Sequence, residues 1–123
     1  MSDDYLYIHL CEGNYKEVRR LLKMTLRQKQ SRFVQMVSLL IQFTYWMGYE
    51  LTFGDAWTKE GHSKKSLHYD RLAIDLNLFK DGRYLSSTES HLPLGEFWEL
   101  IGGTWGGRFE DGNHYSLEHN GRK

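Results

Sequence analysis

The chain has very little cysteine or proline and no excess of either charge. Its 123 residues include one cysteine, Cys11, and one proline, Pro93. A single cysteine cannot form an intramolecular disulfide, and it excludes a zinc module built on several thiolates. Lysine plus arginine equals aspartate plus glutamate at 16 each, so no overall charge draws the chain to nucleic acid or to an anionic membrane.

Long apolar runs are missing as well. The most apolar region, "FVQMVSLLIQFTYW" (33–46), is interrupted by Gln35, Ser38 and Gln42, which excludes a membrane-spanning segment. The N-terminal "MSDD" is acidic, whereas a secretory signal needs basic residues followed by an apolar run. We therefore expect a protein that is made in the cytoplasm and does not insert into membranes.

The length predicts one folded domain, and the motifs divide the chain into residues 1–24 and 25–123. Residues 1–24 are predicted to be an N-terminal extension of unknown role. Within it, "GNYKEVRRLLK" (13–23) predicts a short helix with Asn14 and Glu17 as a capping pair. All remaining motifs fall in residues 25–123, which we expect to fold as a monomeric unit.

The unit begins with a long helix and a strand. Thr25 and Gln28 form a predicted capping box, and apolar residues at helical spacing continue until Gly48 ends the helix. "YELTF" (49–53) predicts a strand, and a polar loop follows it. From Leu72 to Phe79 the period is two, with Leu72, Ile74, Leu76 and Leu78 on one face and Ala73, Asp75, Asn77 and Phe79 on the other.

The second half of the unit reads as a hairpin, a helix and a strand. Asp81-Gly82 predicts a tight hairpin, and a short helix is expected to start at Pro93. The glycine-rich stretch 102–113 is predicted to be a loop, and 114–119 a final strand. This order predicts an α+β fold with a small antiparallel sheet backed by the long helix.

Asp75 is the unusual residue of the apolar strand. A lone buried carboxylate costs several kcal/mol, so it requires a compensating partner. His68 stands just before the strand, and the two side chains can converge on one ion if a second histidine joins them. Two nitrogens and one oxygen with an open position form the ligand pattern of a catalytic zinc site, and this chain has no thiolate set for a structural one.

Two histidines near the C-terminus could complete the set. Asp111 stands three residues before His114 and could serve as the general base, whereas Ser116 stands three residues before His119 and could not. On a strand these histidines point to opposite faces, so both are not expected to bind one metal. We therefore choose His114.

These residues carry a resemblance to a known family. "SLHYDRLAID" followed by "DGNH" resembles zinc peptidases of bacterial cell walls: D-alanyl-D-alanine carboxypeptidases and dipeptidases, and phage L-alanyl-D-glutamate endolysins. The matching positions are Ser66, His68, Ala73 and Asp75 in the first motif and Asp111 and His114 in the second. The resemblance covers about residues 25–123.

The resemblance implies a Hedgehog/DD-peptidase-like fold and a definite assignment of roles. His68, Asp75 and His114 would hold Zn2+, Asp111 would be the base, and Ser66 would help to seat the substrate. The implied substrate is a peptidoglycan stem peptide. The implied protein is a phage or prophage lysis enzyme, which stays in the bacterial host cytoplasm until the membrane is permeabilised and then acts on the cell wall.

Two departures from the family pattern concern substrate binding. The family usually has glycine where this chain has Arg71, so Arg71 would lie at the rim of the cleft. Many members carry an arginine just after the segment matching "GDAW", where this chain has Thr58 and Lys59. Four cations could replace it, namely Lys59, Lys64, Arg71 and Arg108. Trp57 and Trp105 flank the predicted site, where each could contact substrate or pack at the core edge. We assign substrate binding to Ser66, Arg71 and Trp105.

Other functions stay open at the level of sequence. The enzyme could instead be a D-alanyl-D-alanine carboxypeptidase or dipeptidase, or the chain could be a zinc-containing binding module without catalysis. The His- and Asn-rich "GNHYSLEHNG" (112–121) raises a metal-dependent nuclease, which the neutral charge and the lack of a basic stripe disfavour.

Overall fold

The computed structural model describes residues 23–61 and 65–123. These residues form two α-helices and a five-stranded antiparallel sheet, which confirms the α+β class. Cys11 and the helix predicted before Thr25 lie outside the described residues. Within the described part, no helix is long and apolar enough to cross a membrane.

Helix α1 spans Leu26–Trp46 and has the predicted cap. The Gln28 amide donates to Thr25 Oγ1 at 3.2 Å, and the Thr25 amide donates to Gln28 Oε1 at 3.0 Å, which completes the capping box. The chain leaves the helix at Gly48, whose φ of +90° favours glycine. Helical spacing and capping thus predicted both ends of α1 correctly.

The sheet is built around one long central strand. Its strands are β1 (Glu50–Phe53), β2 (Ala73–Lys80), β3 (Arg83–Leu85), β4 (Thr104–Trp105) and β5 (His114–Ser116). The order is β1-β2-β5-β4, and β3 also pairs with β2 through the predicted hairpin. Asp81 and Gly82 have φ values of +51° and +76°, as a two-residue hairpin loop requires.

The two faces of β2 differ as the period of two predicted. Leu76 and Leu78 are fully buried, whereas Asp75 and Asn77 are only half-buried. The apolar face joins a core that also contains residues of α1, of β5 and of helix α2 (Leu92–Leu100). Phe33 of α1 meets Trp98 of α2 edge to face at 5.7 Å, which fixes the two helices against each other.

The prediction of a plain loop over 102–113 is wrong. This stretch contains β4 and a 3-10 helix, Gly106–Phe109. Its glycines make room for indole rings: a Cβ added at Gly103 would lie 2.0 Å from the Trp98 ring, and one at Gly107 would lie 2.1 Å from the Trp105 ring. The glycines therefore mark close packing on two tryptophans, which a local turn rule cannot distinguish from a loop.

Candidate metal centre

Asp75 and His114 are brought together by strand pairing. They are directly opposite each other in the antiparallel register of β2 and β5. His114 Nδ1 lies 3.3 Å from Asp75 Oδ1. Because cross-strand partners on one face have adjacent Cβ atoms, the register places the second motif's histidine beside the first motif's carboxylate.

His68 reaches the same carboxylate from a short 3-10 helix, Leu67–Asp70. Ser66 caps this helix, since its hydroxyl accepts the His68 amide N–H at 3.2 Å. Arg71 ends it in the left-handed region at φ +57°, after which the chain enters β2. His68 Nε2 lies 3.2 Å from Asp75 Oδ1, the same oxygen that His114 contacts.

The three side chains could hold a metal ion. Their donor atoms all lie within 4.8 Å of one another. Two ligands at a tetrahedral angle on zinc, each about 2.0–2.1 Å from it, are separated by roughly 3.4 Å. The observed separations of 3.2 and 3.3 Å from Asp75 Oδ1 are close to that value, so these three side chains could hold a zinc-sized ion.

Burial and the two imidazoles act in opposite directions on the pKa of Asp75. Burial alone would raise it, but hydrogen bonds from His114 and His68 and their charges lower the pKa of Asp75 to about 2. For His68, burial lowers the pKa. The hydrogen bond to Asp75, the charges of Asp75 and Asp55 and a backbone hydrogen bond with Ala56 raise the pKa, and together they outweigh burial. The net pKa of His68 is raised, so in the metal-free protein this cluster retains a carboxylate and attracts a proton.

Asp111 lies at the open side of the cluster. The 3-10 helix Gly106–Phe109 ends at Glu110, which adopts φ +63° and reverses the chain. The Asp111 amide then donates to Gly106 O at 2.9 Å. Its carboxylate Oδ2 is 3.9 Å from His114 Nδ1, and its side chain is 51% exposed. A carboxylate in this position can exchange a proton with a molecule bound at the cluster.

Close contacts of Gly106 and Trp105 fix the conformation of the 106–114 segment. A Cβ added at Gly106 would lie 2.3 Å from Asp111 O and 2.7 Å from His114 Cβ. Trp105 Nε1 donates to Gly112 O at 2.8 Å, and the Trp105 side chain is only 2% exposed. Trp105, which we expected to bind substrate, therefore has the position of a core residue that supports this segment.

The cluster opens into a cavity of about 690 Å³, a volume suited to a small ligand or a short peptide. Ser66 and Phe109 lie on its walls together with the three potential ligands and Asp111. Phe109 is 51% exposed, and its ring centroid lies 6.1 Å from that of His114. The cavity thus offers an apolar ring and several polar groups around one ionisable centre.

Of the four cations that we considered for substrate binding, the three that the structure describes, Lys59, Arg71 and Arg108, do not line the cavity. Arg71 does not line the cavity; its guanidinium stacks over Trp57 at 4.7 Å. Arg108 pairs with Glu99 at 2.7 Å, and Lys64 lies outside the described residues.

Sequence reasoning missed other residues of the cavity wall, namely Lys65 and the segment 120–123. The available signal was the basic pair Arg122-Lys123 following the second motif, but nothing local indicated that this pair faces the site.

The comparisons with known proteins give no family. No protein-family model matches the sequence, and no curated protein matches it either.

Proposed function

We propose that this protein is a zinc-dependent peptidase that hydrolyses peptide bonds in peptidoglycan stem peptides, most simply a phage or prophage L-alanyl-D-glutamate endolysin. One observation carries the proposal. His68, Asp75 and His114, which lie far apart in the chain, converge within 4.8 Å at the base of a cavity that Asp111 also lines. This is the combination of ligands and base that the two sequence motifs imply.

A second observation supports the finer fold assignment, Hedgehog/DD-peptidase-like. Arg71 occupies the position at which the resembling family usually has glycine, and it has φ +57°. Glycine adopts this left-handed conformation without a steric penalty. The usual residue and the observed backbone therefore agree, although this chain uses arginine there.

The chemistry follows from the groups present. Bound zinc supplies a Lewis acid that makes water nucleophilic near neutral pH. Asp111 takes a proton from the attacking water, and the oxygen of that water bonds to the peptide carbonyl carbon. Asp111 then returns that proton to the leaving amine as the C–N bond breaks, so the products are one carboxylic acid and one amine.

The decisive experiment compares Asp111→Asn with Glu110→Gln. Both substitutions neutralise an exposed carboxylate in the same segment, but only Asp111 lies at the cluster. Each variant and the wild type are loaded with zinc, assayed for metal content, and incubated with purified muropeptides that are then analysed by mass spectrometry. Asp111→Asn is expected to keep zinc and lose about 10²–10⁴-fold in cleavage rate, whereas Glu110→Gln should cleave like the wild type.

The products also separate the competing functions. A new N-terminal D-glutamate identifies the endolysin, and release of D-alanine identifies the carboxypeptidase alternative. If the wild type binds zinc but cleaves no muropeptide, the peptidase proposal is refuted and the zinc-containing binding module is favoured. Plasmid nicking by the metal-loaded wild type, measured in parallel, would instead favour a nuclease.

A further inference from the structure

Three cations are among the residues that line the candidate metal cavity: Lys65, Arg122 and Lys123. We propose that this cationic wall binds a carboxylate of the substrate, so that the site selects stem peptides with a free carboxylate next to the scissile bond. The inference rests on the proposed function, since it names the substrate class of the same site. It assigns substrate binding to residues outside both sequence motifs.

Arg122 is the fixed point of the cationic wall. Its backbone forms a two-way bridge with His119, with both N–H···O distances at 3.0 Å. Its guanidinium pairs with Asp70, which belongs to the same 3-10 helix as His68. That contact takes one of five guanidinium N–H groups, and the side chain is still 29% exposed. Arg122 is thus held against the 3-10 helix that carries His68, and its remaining N–H groups can still donate to a ligand.

In the described part of the chain, the charges around the cavity leave the two lysines of this wall without an ion-pair partner, whereas Arg122 is paired with Asp70. The side-chain carboxylates among the lining residues are Asp75 and Asp111. Asp75 Oδ1 is shared by the two histidines, and Asp111 lies beside His114. Within residues 23–61 and 65–123, no ion pair involves Lys65 or Lys123. An arginine fork and two lysines that line one cavity favour a carboxylate ligand.

The wall also accounts for the cation missing from the first motif region. Arg108 is paired with Glu99 on the outer surface, and Arg71 stacks on Trp57. Lys65 and the 122–123 pair reach the cavity from two separate segments instead. In a stem peptide, the α-carboxylate of the γ-linked D-glutamyl residue is the free acid beside the L-alanyl bond, and it is absent when that residue is amidated.

The test uses two synthetic peptides of the form L-alanyl-γ-D-glutamyl-L-lysine, one with the free α-carboxylate and one with the α-carboxamide. The zinc-loaded wild type is expected to show kcat/KM about tenfold higher for the acid, mainly through KM. The double variant Lys65→Gln/Lys123→Gln and the variant Arg122→Gln should each reduce this ratio to about threefold or less. Arg108→Gln, which removes a cation outside the cavity, should leave the ratio unchanged.

A further variant separates charge from scaffolding. Asp70→Asn breaks the same pair as Arg122→Gln but keeps the cation, so it should retain the preference for the acid. Loss of the preference in Asp70→Asn together with its persistence in the lysine double variant would overturn the inference.

Equal kcat/KM for both peptides in the wild type would also overturn the inference while leaving the peptidase intact. If neither peptide is cleaved, the proposed function fails. Calorimetry of both peptides with the zinc-loaded wild type then tests the cationic wall separately. Tighter binding of the acid than of the amide, with the difference abolished in the double variant, supports the inference. Equal binding of the two peptides refutes it.

Discussion

Asp75 and His114 stand opposite each other on β2 and β5, with 3.3 Å between Oδ1 and Nδ1. This single pair joins two motifs that are 39 residues apart. Because a slip of one residue would send one of the two side chains to the other face of the sheet, the register of β2 and β5 is a condition for the candidate metal centre. The three zinc-binding predictions that follow depend on that geometry.

The metal ligands should be separable from other histidines by substitution. His114→Ala removes one donor of the cluster, and we expect it to weaken zinc binding by more than about 100-fold. His119→Ala is the matched control, because His119 contacts Lys29 at 3.2 Å and lies outside the cluster. Isothermal titration with zinc measures both affinities. Equal affinities in the two variants would contradict the assigned ligands.

Zinc affinity should fall as the pH falls. Zinc binds neutral imidazole, and Asp75 raises the pKa of His68. Protons therefore begin to compete with zinc at a pH above the ordinary histidine pKa of about 6.5. The pKa of Asp75 is about 2, so Asp75 stays a carboxylate throughout this range and contributes no pH dependence. Titration calorimetry at several pH values should show weakening from about pH 7 downward and loss of most binding below about 6. An affinity that stays constant from pH 8 to pH 5.5 would refute the imidazole ligands.

Gly106 is expected to be required for the metal centre. An alanine Cβ there would meet Asp111 O at 2.3 Å and His114 Cβ at 2.7 Å, so one of the two residues must move. We expect Gly106→Ala to weaken zinc binding by about tenfold or more in protein that is still folded. Gly82→Ala is the control: its φ of +76° makes the substitution unfavourable, but no atom lies within 4 Å of the new Cβ. It should lower stability and leave zinc affinity unchanged.

His91 should make the metal-free protein less stable in acid. Burial lowers the pKa of His91 to about 4, and its Nδ1 lies 2.7 Å from the Tyr115 hydroxyl. Between pH 6.5 and 4 the unfolded chain therefore binds a proton that the folded protein excludes, and the free energy of unfolding falls as the pH falls. The full difference corresponds to about 3 kcal/mol.

Urea unfolding in the presence of a chelator measures this effect as the difference between the wild type and His91→Gln. The variant should lose less stability than the wild type over the same pH range. His91→Phe, which also removes the partner of the Tyr115 hydroxyl, should add a penalty of about 1–3 kcal/mol that does not depend on pH. Parallel pH profiles of the wild type and His91→Gln would show that His91 is not the group responsible.

Local rules predicted much of the fold correctly. The Thr25 capping box, the end of α1 at Gly48 and the two faces of β2 all follow from residues within a few positions of one another. The same rules failed over 102–113, where glycines that suggested a loop instead make room for Trp98 and Trp105. Trp105, which we expected to contact substrate, is instead buried in the core. Local rules could not predict this, because tertiary packing decides whether a tryptophan is buried.

The amino-acid sequence by itself determined which donors were available, two imidazoles and two carboxylates, and it determined the local pattern of the Thr25 cap and the period of β2. The tertiary structure decided that β5 pairs with β2 in the register that joins Asp75 to His114, and that Arg122 reaches Asp70 across 52 residues. Capping and periodicity depend on neighbours in the chain, so they can be read locally. Strand pairing and ion pairs between distant segments depend on how the whole core packs, and no short stretch of sequence contains that information.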